Sequence, residues 1–341
     1  SPGSVVLDPW NGSGTTTFCS EKLENTSFGF DLNPVMCVVA RARIAKKKDI
    51  DSARKLWASI RISLDSNKKN QPTSDPLSPW LSVRASSIIR NIIDATLKKD
   101  AVSYTDNINE VSNIVEKVKV SQAVLLVSIF LATKKILNIK NGSNPTWSKK
   151  PSLRRRHTLS IDAINSAINS ELDQVELLQI GHRSKNRSIP TILCANSEQM
   201  PLKDESIDLI LTSPPYCTRI DYAISTLFEL AILGLSVGSV ESLRRSLLGT
   251  TAIRNCSLSS PDLWGKECKD ILDFIKNHPS HGSKSYYHKN TLEYFSSLFK
   301  SISEMARVLQ PGGIAAVVLQ SSYYKERKID LPKIFSEMAF A

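Results

Sequence analysis

The sequence predicts an α/β fold with a mostly parallel sheet, interrupted by a mainly helical insertion. In residues 1–46, short apolar segments alternate with helical patterns in the order strand, helix, strand, helix. Such alternation is typical of a parallel sheet. The same alternation returns over residues 191–341, whereas residues 47–190 show apolar side chains mainly at helical spacing. We therefore expect one α/β domain formed by 1–46 and 191–341, with 47–190 as an inserted helical domain.

The N-terminal segment supplies the first two strands of the expected sheet. Val5–Leu7 is a short apolar run, and a glycine-containing turn follows it. A helix is expected over 15–23, a second strand over 27–31 and a second helix over 34–46.

The insertion is expected to consist of amphipathic and buried helices. Apolar side chains recur at helical spacing over 53–64, 82–97, 108–118 and 120–136. The last of these segments is the most apolar part of the chain, but it contains serines and a glutamine and is too short to span a bilayer. We expect a buried helix there and no membrane segment.

The C-terminal segment resumes the α/β pattern. Strands are expected over 191–195, 207–212 and 314–320, and helices are expected over 222–235, 290–309 and 331–338. We expect Pro311-Gly312-Gly313 to stop the second of these helices. Residues 244–290 show no clear periodicity and are expected to be irregular.

Composition indicates the class of partner and the cellular compartment. The chain of 341 residues carries 44 Lys and Arg against 33 Asp and Glu, a formal net charge of +11. Such an excess favours polyanionic partners such as nucleic acid, although solubility alone is also compatible with it. The six cysteines include no C-x-x-C pair, which argues against a disulfide scaffold or zinc site. We therefore expect no metal, and a reducing cytoplasm as the location.

Two strand ends carry residues that suit a nucleoside. After the first strand, Gly12 and Gly14 let backbone approach a ligand closely, and three hydroxyl side chains follow at a helix N-terminus. These are Ser13, Thr15 and Thr16. Asp31 follows the second strand, at the spacing from the glycine turn where an acidic side chain binds ribose hydroxyls. The absence of a G-K-[ST] sequence argues against a phosphate loop.

A third strand end carries an unusual rigid loop, Ser213-Pro214-Pro215-Tyr216. Two successive prolines remove two backbone donors and display their carbonyl groups rigidly. A hydroxyl, these carbonyls and an aromatic ring together offer acceptors and a stacking surface for a planar base with an amino group.

Four motifs, in this order, resemble those of the DNA methyltransferases that modify amino groups. Asp8–Thr16 is similar to the D-P-F-x-G-S-G-T-T cofactor motif, and Gly29–Pro34 resembles the ribose-binding G-x-[ED]-x-[ND]-P segment. Ser213–Tyr216 resembles the catalytic [DNS]-P-P-[YF] motif, and Arg307–Gly313 resembles the R-V-L-x-P-G-G turn. The likeness covers residues 1–46 and 191–335.

The resemblance implies a Rossmann-like class I methyltransferase fold and S-adenosylmethionine as cofactor. It implies transfer of a methyl group to the exocyclic amino group of a base flipped out of double-stranded DNA, in a restriction–modification or other defence setting. Serine before the prolines is more typical of cytosine-N4 enzymes, so cytosine N4 is the expected target. The implied cofactor-binding residues are Asp8, Pro9, Trp10, Gly12, Ser13, Gly14, Thr15, Thr16, Asp31, Leu32, Asn196 and Ser197.

The resemblance also implies roles for residues of the catalytic loop. The Ser213 hydroxyl and the Pro214 carbonyl are expected to accept the two amino hydrogens, and Tyr216 is expected to stack on the base; Pro215 belongs to the same catalytic motif. Cys217 is expected to pack rather than to attack, because the Pro-Cys of C5-cytosine enzymes is lacking. Asn196 stands where the family commonly has an aspartate, and its amide oxygen offers a replacement acceptor.

Nucleic-acid contacts are expected in the insertion, a candidate target-recognition domain, and after the catalytic loop. Asp221 and a group of basic side chains are the candidates, the basic ones as partners for phosphates. The basic candidates are Lys149, Lys150, Arg154, Arg155, Arg156 and Arg219.

Three alternatives remain open from sequence. They are an N6-adenine DNA methyltransferase, an RNA guanine-N2 methyltransferase, and a degenerate homologue that binds DNA without catalysis. The family's final antiparallel hairpin and its segment before the first strand are not evident. Either the sequence is a piece of a longer chain, or another segment completes the site.

Overall fold

A five-stranded parallel sheet forms the centre of the α/β part. The computed structural model describes residues 3–64, 75–98, 104–139, 157–178, 188–218, 220–253 and 263–341. The strands are β1 (Val5–Asp8), β2 (Thr26–Phe30), β3 (Thr191–Leu193), β4 (Ile207–Thr212) and β5 (Leu309–Val317). Their order is β3-β2-β1-β4-β5, and every pairing is parallel. The predicted Rossmann-like α/β class is confirmed.

The sheet order reverses direction between β1 and β4, which places the functional candidates together. Leu7 pairs with Ile210, and Asp8 pairs with Gly29. The carboxyl ends of β1, β2 and β4 therefore meet at one edge. Such a switch point is where open α/β sheets bind ligands.

Helix α1 (Thr15–Lys22) and helix α2 (Pro34–Arg43) follow the first two strands. Asn33 caps α2, because its side-chain oxygen accepts the Val35 amide at 3.1 Å. Gly14 precedes α1 with φ +81°, and a Cβ there would lie 2.7 Å from the Ala40 Cβ. A glycine at this position therefore lets the turn pack directly on α2.

Five helices lie in the described part of residues 47–190. They are α3 (Lys47–Leu64), α4 (Val83–Leu97), α5 (Ile108–Glu116), α6 (Val120–Ile136) and α7 (Ile161–Leu178). Helix α6 is buried along most of its length and packs against α2, α3 and α7. None of the helices in the described ranges combines the length and apolar character that a membrane span requires.

The C-terminal segment contains six helices and a hairpin among its described residues. The helices are α8 (Tyr222–Ser225), α9 (Leu227–Ile232), α10 (Val237–Ser246), α11 (Lys266–Asn277), α12 (His288–Val308) and α13 (Leu331–Ala339). A π-helical turn, Ser283–Tyr287, leads into α12. Strands β6 (Ser322–Tyr324) and β7 (Arg327–Ile329) form a separate antiparallel hairpin.

Three sequence predictions in this segment are wrong. The expected helix 222–235 is broken at Thr226, whose hydroxyl bonds back to the carbonyls of the preceding turn. Residues 244–290 are not irregular throughout, because α10 ends within them and α11 lies wholly inside them. The glycine turn does not stop α12. That helix ends at Val308, and Gly312, with φ +80°, lies in an irregular stretch of β5.

One apolar core joins the insertion to the segment after β4. Buried side chains of α2 to α7 pack in the same cluster as those of α8 to α10. Within it, Arg90 of α4 donates to both carboxylate oxygens of Asp75, at 2.8 and 2.9 Å. Arg90 also donates to the carbonyls of Ala231 and Ile232, at 2.6 and 2.7 Å. The insertion is thereby bonded to the end of α9.

Candidate active site

A cavity of about 400 Å³ opens at the carboxyl edge of the sheet. Its lining comes from the loops after β1, β2, β3 and β4, and from the end of α10. The predicted site residues that line it are Pro9, Trp10, Gly12, Ser13, Asp31, Leu32, Asn196, Ser197, Ser213, Pro214, Pro215 and Tyr216. Residues that are 200 positions apart in sequence thus share one enclosure large enough for a cofactor-sized ligand.

The glycine turn after β1 is fixed by backbone bonds to β2. The Asn11 amide donates to the Phe30 carbonyl at 2.8 Å, and Gly29 leaves room for the Asn11 side chain. A Cβ on Gly29 would lie 2.5 Å from that side chain. The turn consequently reaches over the end of β2, towards Asp31.

Asp31 is held by two backbone donors at the cavity wall. The Gly12 amide donates to its Oδ2 at 3.1 Å, and the Asn33 amide donates to its Oδ1 at 2.8 Å. Burial raises the pKa of Asp31 to about 6, although these two bonds oppose the rise and the nearby Asp8 adds to it. Each oxygen retains acceptor capacity for a ligand.

Asp8 lies beneath the cavity, outside its lining. The carboxylate is 5% exposed; its Oδ1 accepts the Thr212 hydroxyl at 2.6 Å and the Trp10 amide at 3.1 Å. Burial raises the pKa of Asp8, while hydrogen bonds from Thr212 and Trp10 lower it. Asp8 thus joins the end of β1 to the end of β4.

Three other residues of the glycine motif, Gly14, Thr15 and Thr16, also lie outside the lining. The Thr16 hydroxyl donates to the Leu211 carbonyl at 3.2 Å, so it attaches α1 to β4. Thr15 is exposed, and its hydroxyl accepts from Arg43 at 3.1 Å. These residues shape the turn rather than face the cavity.

The loop after β3 contributes a carboxylate that sequence reasoning missed. The Oδ1 of Asn196 accepts the Glu198 amide at 3.0 Å, and the Ser197 hydroxyl bonds to the Ser301 hydroxyl at 2.9 Å. Glu198 itself lines the cavity. An acidic acceptor therefore lies two residues after Asn196, in the loop that follows β3.

Ser213 has its hydroxyl proton directed away from the cavity. Its Oγ donates to the Val318 carbonyl at 3.2 Å and lies 3.3 Å from the Tyr216 hydroxyl. A hydroxyl has one hydrogen, so this arrangement leaves oxygen lone pairs as what Ser213 offers a ligand. Within the described residues, no donor satisfies the Pro214 carbonyl.

The rest of the proline loop is packed from behind. Tyr294 of α12 donates to the Pro215 carbonyl at 2.8 Å, and Gly249, with φ +76°, abuts the Tyr216 carbonyl. Burial raises the pKa of the Tyr294 hydroxyl well above its usual value. Tyr294 therefore remains a donor and fixes the loop.

The Cys217 thiol is unsuited to nucleophilic attack. Burial raises its pKa to about 12, so the reactive thiolate is scarce near neutral pH. The side chain packs against the apolar cluster of α11 to α13.

Of the residues expected to contact DNA, Asp221 alone lies in the described ranges. Asp221 does not face outward, because it is 4% exposed, caps α8 and pairs with Arg244 at 2.7 Å. The basic candidates fall outside the described residues; they are Lys149, Lys150, Arg154, Arg155, Arg156 and Arg219. Among the described residues, no group of three or more His, Cys, Asp or Glu side chains is arranged to hold a metal.

Other residues that line the cavity belong to none of the sequence motifs. Met36 lies within α2, Tyr222 begins α8, and Leu247 and Leu248 follow α10. Met36 and Leu248 add apolar surface, and Tyr222 adds a second ring beside the proline loop.

Curated relatives with similar sequences are Type II methyltransferases. M.BsoBI of Geobacillus stearothermophilus is 23% identical over 283 residues, which cover 74% of this chain and 51% of that protein. M.MvaI of Kocuria varians is 22% identical over 366 residues, which cover 98% of this chain and 73% of that protein. M.AvaI of Nostoc sp. is 41% identical over 66 residues, 19% of this chain and 13% of that protein.

The similarity is distant and partial. The chain spans about half the length of M.BsoBI. No family model matches the sequence, and no solved structure matches the chain. The chain is therefore a remote relative of Type II methyltransferases that has the Rossmann-like methyltransferase architecture.

Proposed function

We propose that this protein is a site-specific DNA methyltransferase that uses S-adenosylmethionine. The proposed target is an exocyclic amino group, the N4 amino group of cytosine. The observation that carries the proposal is the shared cavity. Asp31 and the glycine turn line it on one side, and the Ser213–Tyr216 loop lines it on the other. The Type II methyltransferase relatives support DNA as the substrate.

The donor and acceptor set of the cavity fits the proposed cofactor. Asp31 offers two acceptor oxygens to ribose hydroxyls, and Glu198 offers an acceptor to an adenine amine. Leu32 and Met36 provide apolar surface for the adenine ring. S-adenosylmethionine would supply the activated methyl group. Four further lining residues follow β1: Pro9, Trp10, Gly12 and Ser13.

Ser213 and Pro214 are proposed to orient the target nitrogen. An exocyclic amine is a weak nucleophile, because its lone pair is delocalised into the ring. Two acceptors, the Ser213 oxygen and the Pro214 carbonyl, would hold both amino hydrogens and favour a pyramidal nitrogen with its lone pair directed at the methyl group. Such positioning and electrostatic matching lower the barrier without a covalent intermediate.

Tyr216 is proposed to stack on the flipped base. Extracting a base from the duplex costs a few kcal/mol, and stacking on an aromatic ring offsets part of this cost. The protonated state of Cys217 argues against a covalent C5-cytosine mechanism and supports transfer to nitrogen. The preference for cytosine N4 rests on serine at position 213.

DNA phosphates are proposed to contact the basic residues of the insertion. The residues proposed for these contacts are Lys149, Lys150 and Arg154–Arg156, together with Arg219 after the catalytic loop. Their replacement should flatten the salt dependence of DNA binding, because each phosphate contact releases counterions. The net charge of +11 supports this part of the proposal.

Cofactor affinity is expected to rise with pH through about 6 and to level off above 7. Asp31 has a pKa of about 6 in the free protein, and hydrogen bonds from ribose hydroxyls would stabilise its ionised form. Binding would therefore release a proton below pH 6, and linkage makes affinity increase with pH in that range. Calorimetric titration of S-adenosylmethionine from pH 5 to 8 measures this.

Asp31→Asn provides the control for that titration. It keeps the shape of the side chain and one acceptor oxygen but removes the titration. The variant should bind more weakly at pH 8 and lose most of the pH dependence. An unchanged pH profile in Asp31→Asn would remove Asp31 from the cofactor site.

The substrate class is tested by methyl transfer from labelled cofactor. Wild-type protein is incubated with genomic DNA, with total RNA and with no nucleic acid. The proposal expects acid-precipitable label only with DNA. Label in RNA alone would favour a guanine-N2 RNA enzyme, and no transfer despite cofactor and DNA binding would indicate a degenerate homologue.

A further inference from the structure

A second cavity lies on the far side of the proline loop. It has a volume of about 360 Å³ and is bounded by Cys217–Thr218, Gly249, the start of α12 and the β6–β7 hairpin. None of the residues that bind Asp31 or form the glycine turn lines it. It is therefore separate from the proposed cofactor site.

The two cavities share a thin wall. Pro215 and Tyr216 line the first, while Cys217 and Thr218 line the second. Across from them, Leu248 lines the first and Gly249 lines the second. On each side, consecutive residues of the backbone therefore line the two cavities.

The lining of the second cavity is aromatic. Tyr287, Tyr294, Tyr323 and Tyr324 all contribute, and the rings of Tyr287 and Tyr324 lie 5.3 Å apart. Tyr324 and Tyr294 are buried, whereas Tyr323 is 71% exposed. Tyrosine rings stack on any nucleobase with little dependence on sequence.

The charge of this lining is positive. Lys325 is the only charged residue among the described lining residues, and it lies in the hairpin turn with φ +53°. The Cys217 thiol is neutral, since its pKa is raised to about 12. An aromatic cavity that carries a cation and no carboxylate favours a ligand that is both aromatic and anionic.

We propose that the second cavity binds the nucleotide that flanks the target base in the DNA strand. Its base would stack among the tyrosines, and its phosphate would approach Lys325. Ser213 and the Pro214 carbonyl do not line this cavity, so it lacks the proposed amino-orienting groups and would position DNA rather than react with it. The assignment rests on the proposed DNA methyltransferase function.

Binding of a fluorescein-labelled ten-nucleotide single strand, followed by anisotropy, tests the site directly. Tyr323→Ala is expected to raise the Kd about tenfold, within the range of base stacking. Lys325→Ala should lower the salt slope by about 1. The matched controls are Phe340→Ala, which removes a ring that is 91% exposed outside this cavity, and Lys203→Ala, at an exposed lysine in the loop before β4; neither should change the Kd or the salt slope. S-adenosylmethionine affinity should be unchanged in all four variants.

Photo-cross-linking locates the contact. A strand that contains 5-iododeoxyuridine should cross-link to the peptide that carries Tyr287 or Tyr323. Cross-links confined to other peptides, or a Kd unchanged by Tyr323→Ala, would overturn the proposal. Free deoxynucleoside monophosphate is added as a competitor at a concentration equal to the Kd of the oligonucleotide. If it blocks the cross-link, the proposal is overturned, because the site would then bind free nucleotides.

Methyl transfer separates failure of this inference from failure of the proposed function. If wild-type protein methylates DNA but Tyr323→Ala has an unchanged KM for DNA, the flanking-nucleotide site is refuted and the enzyme assignment stands. If wild-type protein neither binds nor methylates DNA, both are refuted. An increase in KM of about tenfold with little change in kcat supports the site.

Discussion

Tyr216→Ala is expected to lower kcat by more than about 100-fold while S-adenosylmethionine binding survives. The ring lines the cavity beside Ser213, and its hydroxyl lies 3.3 Å from the Ser213 oxygen. Removing the ring deletes the stacking surface for the base. It also removes the Tyr216 hydroxyl that lies beside the Ser213 oxygen, the group proposed to orient the amino nitrogen. Misplacement of a reacting group by about 1 Å is sufficient for a loss of this size. Single-turnover methyl transfer gives the rate, and calorimetry gives the cofactor affinity.

Tyr216→Phe is the matched control for this prediction. It retains the ring and loses only the 3.3 Å contact, so we expect a small decrease in kcat. Activity of Tyr216→Ala within about threefold of wild type would contradict a stacking role. Loss of cofactor binding in Tyr216→Ala would instead mean that the ring supports the cavity itself.

Asp75→Ala is expected to destabilise the protein by about 3–5 kcal/mol. Asp75 and Arg90 are 3% and 2% exposed, and the carboxylate accepts two hydrogen bonds from the guanidinium and one from the Leu77 amide at 2.7 Å. Truncation would leave a buried guanidinium with no counter-charge from Asp75, bonded only to the carbonyls of Ala231 and Ile232. Urea denaturation would report the loss as a lower transition midpoint.

An exposed ion pair provides the comparison. Asp173 is 63% exposed and accepts from Arg54 at 2.7 Å, so Asp173→Ala should cost less than about 1 kcal/mol. Equal midpoints for Asp75→Ala and Asp173→Ala would contradict the account. A large loss specific to Asp75→Ala would support the bond between the insertion and α9 as a determinant of the fold.

The parts predictable from sequence were those with local signals. Strand β4 was predicted with its observed ends, 207–212, because an apolar run stops at two prolines. Asp31 and the Ser213–Tyr216 loop were expected at the ends of two strands, and the parallel sheet, with β2 and β4 on either side of β1, brings those ends to one cavity. Here the topology alone determines the proximity.

Two structural features were missed although their signals are present in the chain. In α11, Cys268, Ile271, Leu272 and Ile275 follow helical spacing and are all buried, within a stretch predicted to be irregular. Helix α7 has a similar apolar stripe. In both helices the helical spacing of the apolar residues is visible in the sequence and would have predicted the helix.

Other site features depend on tertiary packing and have no local signal. Glu198 and Leu248 line the cavity because their loops are positioned by α12 and α10, and the bond from Tyr294 to Pro215 joins residues 79 apart. The burial of Asp8 could not be inferred from its motif either. Its carboxylate accepts a hydrogen bond from the Thr212 hydroxyl, and the two residues are close because β1 pairs with β4.

The most direct test of the central claim is the identity of the methylated nucleoside. DNA treated with the protein and isotopically labelled S-adenosylmethionine is digested to nucleosides and analysed by mass spectrometry against standards. Amino-group transfer directed by Ser213 and Pro214 predicts labelled N4-methyldeoxycytidine. Labelled N6-methyldeoxyadenosine would retain amino transfer but contradict the cytosine assignment, and labelled 5-methyldeoxycytidine would contradict the mechanism itself.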